Sequence, residues 1–223
     1  MRVEIRQRPS FALARLVLGP EETCRVEPGA LHSMSDGVEM TSGPGGGTIK
    51  SLRRALAGEP LFLATCTAPA QGGWVDIAPH LPGDVRILDL DGEPGWCINR
   101  GRWLASSGGV ELDSRWTGLT SLLNGEGFLS HATGQGQVVV TCYGALEAVT
   151  LAPDEAVTIN TGHVVAYRDD VKCSTREVAR GLVDSVKTGN NMVFDFVGPG
   201  RVLTQTRNPA ALAAWARAKN PVS

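Results

Sequence analysis

LGPEETCRVEPGALHSMSDGVEM, from Leu18 to Met40, comes back twice further along the chain. LDGEPGWCINRGRWLASSGGVEL runs from Leu90 to Leu112, and LAPDEAVTINTGHVVAYRDDVKC from Leu151 to Cys173. The three align over 23 positions without a gap. Leucine opens each, and a carboxylate follows three residues later as Glu21, Glu93 and Asp154. Then come a β-branched residue (Val26, Ile98, Ile159) and a glycine (Gly29, Gly101, Gly162). Val38, Val110 and Val171 stand near the end, with Met40, Leu112 and Cys173 two residues on. A spacing of two is the strand period, so each of these last pairs faces one core. The shared glycine marks a turn, a bulge or a close backbone approach. The shared carboxylate is read as capping a turn.

A second half-motif follows each copy: GEPLFLATC from Gly58, GEGFLSHAT from Gly125 and GNNMVFDFV from Gly189. Glycine turns then lead into GGWVDI at Gly72, GQGQVVV at Gly134 and GPGRVLT at Gly198. The unit is therefore about 65 residues with about six short strands, the signature of a tandem repeat. Its boundaries fall near 11–78, 79–141 and 142–207. Alone, each copy would leave open sheet edges. The reading is an all-β fold, a single compact domain over 1–223 in which the copies are related by pseudo-threefold symmetry. Short helices are expected at IKSLRRALAG, LTSLLNG and EVARGLVDSVKTG. A C-terminal helix is expected over 209–219, PAALAAWARAK, where Pro209 suits a first helical position and alanine favours helix.

Bulk properties agree and exclude several function classes. Glycine numbers 27 and proline 13, which suits short strands and tight turns and suits long helices badly. Net charge is −2 with both signs mixed, so nothing draws the chain to nucleic acid or an anionic membrane. No apolar run approaches the roughly 20 residues of a membrane span, and MRVEIRQRPSF has no apolar segment of a signal peptide. Five cysteines without CxxC spacing point to a reducing, cytoplasmic setting and to thiols used as small hydrophobes.

Sequence spacing offers no catalytic residues. GxSxG is absent, and His32, His80, His131 and His163 form neither HxH nor HExxH. Neither a bound transition metal, nor another cofactor, nor hydrolase activity is expected. SGPGGGTIK from Ser42 departs from the P-loop pattern, since Lys50 is not preceded by glycine. It remains a candidate ligand or anion loop through Gly45, Gly46, Gly47, Lys50, Arg53 and Arg54. Trp103, Trp116 and Trp215 are candidate interface centres, because tryptophan is favoured there.

Seven segments together resemble a known family, that of altered inheritance of mitochondria protein 24. They are PGALHSM at Pro28, GGGTIKSLRRALAGEPLFLATC at Gly45, LPGDVRILDLDG at Leu81, GRWLAS at Gly101, GEGFLSHATGQGQVVVTCYGAL at Gly125, INTGHVVAY at Ile159 and FVGPGRVLTQTR at Phe196. At Gly189 the chain has GNN where the family usually has Gly-Glu-Gly, as at Gly125. The resemblance implies a fold similar to the trp RNA-binding attenuation protein, a compact relative of the double-stranded β-helix. It ties mitochondrial relatives to inner-membrane organisation and carries no catalytic residues to transfer.

The functional expectation is a non-catalytic assembly or scaffold protein. It would act through self-association as a trimer or a multiple of one, with an unidentified protein partner also open. Internal closure of the three copies would instead leave a monomer. The alternative is a binding module for a small ligand, anion or nucleic acid through the glycine-rich loop.

Overall fold

A computed structural model of the chain describes residues 1–44, 62–116, 128–178 and 192–219. The three short helices expected at IKSLRRALAG, LTSLLNG and EVARGLVDSVKTG lie outside these residues, except for the first two residues of the last. The described residues form strands with one helix near the C-terminal end. Two compact units emerge: one of residues 1–93, 103–111 and 133–141, the other of 94–102, 112–132 and 142–223.

In the first unit, β1 (Arg2–Arg6) pairs with β2 (Leu13–Leu18). β2 pairs with β7 (Gly73–Ile77), and β7 with β4 (Leu31–Met34). All are antiparallel, and β2 alternates half-buried and buried residues, as a strand with one face on a core must. Ala14, Leu16 and Leu18 enter that core with Val75 and Ile77 of β7. β3 (Thr23–Val26) pairs with β6 (Phe62–Thr67), which pairs with β5 (Glu39–Pro44). β10 (Trp103–Ser107) pairs with β3 on one side and with the later part of β12 (Phe128–Thr141) on the other. β8 (Val85–Asp91) runs antiparallel to residues 135–141 of β12.

In the second unit, β13 (Leu146–Leu151) pairs with β18 (Gly200–Gln205), and β18 with β15 (Val164–Arg168). β15 pairs with β9 (Trp96–Ile98), whose other side takes Ser130–Ala132 of β12. β11 (Val110–Trp116) also pairs with β12. β17 (Met192–Val197) lies between β14 (Ala156–Asn160) and β16 (Lys172–Glu177). Phe194, Phe196, Tyr167 and Leu151 are the larger members of this unit's core. Helix α1 (Pro209–Lys219) ends with Arg217 and Lys219 in its last turn and buries none of its residues.

Gly134 lies between the two pairing stretches of β12. It adopts φ +93°, and a Cβ there would meet the Gly109 carbonyl at 2.6 Å. Only glycine fits such a bend in a strand.

Candidate functional site

β9 is a short strand with a partner on each side, and that places the site. Cys97 lies directly opposite His131 of β12 and opposite Tyr167 of β15. Residues directly opposite in antiparallel strands share a face, so Cys97, His131 and Tyr167 point the same way. Asp169 follows Tyr167 by two, in the turn just past β15. Its backbone N–H donates to the Gly95 carbonyl at 3.1 Å, which ties it to the start of β9. The Cys97 thiol donates to Asp169 Oδ1 at 3.1 Å. His131 Nε2 is bonded to the other carboxylate oxygen, Oδ2. One donor atom from each of Cys97, His131 and Asp169 lies within 4.8 Å of the others. Cys97 and His131 are 3% and 6% exposed.

The surroundings are well ordered by hydrogen bonds. Asn99, two residues after Cys97, donates from Nδ2 to the carbonyls of Thr161 and Val164, both at 3.0 Å. Tyr167 stands directly opposite Cys97 across β15 and β9, with the Cys97 and Cys173 thiols beside its phenol. Burial, with those thiols beside it, pushes the Tyr167 phenol well above its ordinary range. Burial likewise pushes the Cys173 thiol up to about 11. In the trio, thiol and imidazole both bond to one carboxylate that stands between them. A nucleophilic cysteine needs the imidazole at its sulfur to take the proton; here the imidazole's Nε2 is engaged by Asp169. The arrangement is a converging set of three donors of different chemistry.

Two other polar features belong to the first unit. Asp76 is buried and accepts from Arg15 through both oxygens, at 2.8 and 2.9 Å, and from Arg6 at 2.7 Å. Arg15 also lies 3.8 Å over the Trp74 ring. The Arg15 guanidinium, seconded by Arg6, holds the Asp76 carboxyl below the usual carboxylate range. This network joins β1, β2 and β7 and is satisfied within itself. A shallow groove of about 480 Å³ is lined by Glu21, Glu22, Thr23, Ser107, Gln135 and Gln137, among others. Within it the Met1 ammonium is paired with the Glu22 carboxylate.

The residues singled out from sequence are placed as follows. Gly45, Gly46, Gly47, Lys50, Arg53 and Arg54 all lie outside the described residues. Trp103 is buried, 7% exposed, within β10, so it presents no surface for a partner. The repeat alignment already set it against Leu31 and Val164, both apolar. Trp116 ends β11, and its side chain lies outside the described residues. Trp215 is 61% exposed on α1. Val38, Val110 and Val171 are buried. Gly29 and Gly101 have positive φ, whereas Gly162 sits in a 3-10 turn where a Cβ would strike the Asn208 side chain at 2.3 Å. The turn-closing carboxylates are Glu22 and Glu155, accepting from the Gly19 and Ala152 N–H groups, each at 2.8 Å. Their neighbours Glu21 and Asp154, expected in that role, take left-handed φ instead.

Sequence reasoning missed Cys97, His131 and Asp169 as a group. Cys97 and Asp169 are 72 residues apart, and His131 and Asp169 38. No local motif links them; strand register alone does.

These strands and turns define an all-β protein with a buried thiol–imidazole–carboxylate cluster. The chain belongs to the mitochondrial biogenesis AIM24 family, whose model matches residues 3–207. That is the family the seven segments resemble. An uncharacterized protein of Streptococcus pyogenes serotype M6 is 24% identical, over all of this chain and 92% of its own length. A crystal structure of another Streptococcus pyogenes protein, a structural genomics target, is similar with a TM-score of 0.83 and 23% identity. The match covers 98% of this chain and 99% of that one, and bears on the fold alone. Among the described residues, no helix is long and apolar enough to cross a membrane.

Proposed function

We propose that this is a non-catalytic assembly protein that acts by self-association. The observation that carries the reading is α1. The helix, PAALAAWARAK, is apolar on nearly all sides, with Leu212 and Trp215 its large apolar side chains. Yet the helix buries no residue within the chain, and Trp215 is 61% exposed. A large aromatic in that setting is the kind of side chain that centres an interface. The occupant proposed is a second copy of the chain, since closed rotational symmetry is how most homo-oligomers cover such faces.

The repeat reading supports this. Leu18, Leu90 and Leu151 each lie at or next to a strand end, and thirteen residues later β4, β10 and β15 begin. In each segment the pairing to the closing strand shifts register just after that start: at Leu31/Ser33, Trp103/Ala105 and Val164/Ala166. We read the segments as three copies of one double-stranded β-helix-like unit, the pseudo-threefold arrangement being part of the same reading. The odd number of cysteines, five, supports a cytoplasmic setting.

Light scattering of untagged protein at micromolar concentration tests the proposal. The expected mass is three times 23.6 kDa or a multiple of that, and Trp215→Glu should lower it. A mass of one chain, or a mass unchanged by Trp215→Glu, refutes the role given to α1.

A further inference from the structure

We propose that Cys97, His131 and Asp169 form a binding site for a thiophilic divalent metal ion of the zinc class. The proposal departs from the expectation drawn from residue spacing. A thiol, an imidazole and a carboxylate are the three donor types that hold zinc. Here two come from paired strands and the third from the turn after β15, and their donor atoms converge within 4.8 Å of one another. With Zn–S near ~2.3 Å and Zn–N or Zn–O near ~2.0 Å, a tetrahedral centre spaces its ligand atoms about 3.3–3.6 Å apart. The Cys97 Sγ to Asp169 Oδ1 separation of 3.1 Å is close to that range. His131 Nε2 is bonded to the other oxygen of the same carboxylate. On binding, the metal displaces the thiol proton to solvent and takes the lone pair of His131 Nε2, whose proton, held on Asp169 in the free site, shifts through solvent to Nδ1.

Three further features suit a metal centre. Cys97 and His131 sit on paired strands with little exposed surface, so the donors are held before any ion arrives. Asp169 is only partly buried and lies just past the end of β15, which gives an ion a way in. Asn99, two residues after Cys97, is anchored to the Thr161 and Val164 carbonyls, and the Asp169 N–H is tied to Gly95; outer partners of this kind fix metal ligands in place. The thiolate selects zinc-class ions over magnesium or calcium, which prefer oxygen alone. Three protein donors leave a fourth position for water or an incoming donor, the pattern of an open rather than a closed site.

Titration of untagged, metal-free protein with cobalt(II), followed by zinc, tests this. One cobalt per chain is expected, with a thiolate-to-cobalt charge-transfer band and visible absorption of tetrahedral intensity, both abolished when zinc displaces it. Cys97→Ser should remove the band and weaken uptake on the order of 100-fold or more, beyond what loss of an outer partner does. His131→Gln and Asp169→Asn should weaken uptake while retaining a sulfur band. Cys24→Ala, Cys66→Ala, Cys142→Ala and Cys173→Ala, taken singly, should keep it. Should Cys97→Ser not fold by circular dichroism, those four variants assign the sulfur by elimination. No uptake, uptake without a thiolate band, or a band lost in one of the four and kept in Cys97→Ser overturns the site.

Discussion

Phe196→Ala is the sharpest test of how the second unit is held together. Phe196 is the largest fully buried side chain among the described residues. It sits mid-β17, opposite Val157 on one side and Cys173 on the other. Its ring meets Tyr167 edge-on at 5.1 Å and Phe194 at 5.6 Å. Burial of such a side chain contributes about 1.5–3 kcal/mol. Each of the two aromatic pairs adds about 0.5–1.5 kcal/mol beyond area. Together these give roughly 2.5–6 kcal/mol, in line with the ~3–5 kcal/mol of Phe-to-Ala changes in cores.

A loss of that size is a large fraction of the ~5–15 kcal/mol that holds a typical domain folded. For a chain of this length it lowers the melting temperature by roughly 6–20 °C. Urea denaturation followed by circular dichroism and tryptophan fluorescence measures it, with a lower midpoint expected at unchanged slope. Phe11→Ala is the control, since Phe11 is 72% exposed and a surface change of this kind stays within about 0.5 kcal/mol. A loss below ~1.5 kcal/mol for Phe196→Ala, or one no larger than the control's, refutes the packing argument.

Val38→Ala, Val110→Ala and Val171→Ala should each cost ~1–3 kcal/mol in the same denaturation assay, because all three side chains are buried. Gly134→Ala should destabilise by more than the ~1–2 kcal/mol of a left-handed backbone alone, since its Cβ would also strike the Gly109 carbonyl. Melting temperatures within a degree or so of the parent would contradict it. Arg15 and Arg6 hold the Asp76 carboxyl below its unfolded range, so on acidification the unfolded chain takes up the proton first. The network's contribution is therefore whole above about pH 4, the ordinary aspartate range, and is lost as pH falls through the lower folded value. Asp76→Asn should flatten the acid limb of stability against pH, and an unchanged limb would place the acid sensitivity elsewhere.

Turns were legible from sequence because their chemistry is local. Gly29 and Gly101 stand where the backbone turns left-handed, and Pro209 with the alanines after it starts a helix where one is found. Trp103 was misjudged by its residue type, although the alignment that set it against Leu31 and Val164 held the better reading. The Cys–His–Asp cluster was hidden for a different reason. In the repeat alignment Cys97 stands against Arg25 and Thr158, and Asp169 against Asp36 and Gly108, so neither residue is shared by all three copies. What unites them is register. His131 faces Cys97 only because β12 pairs with β9 at Ser130–Ile98, and a slip by one residue would turn His131 to the opposite face. That register depends on partners brought together from distant parts of the chain, including β15 on the other side of β9. Local pattern cannot carry such information, so in a fold of this kind the frame is readable along the chain while the chemistry between strands has to be read across it.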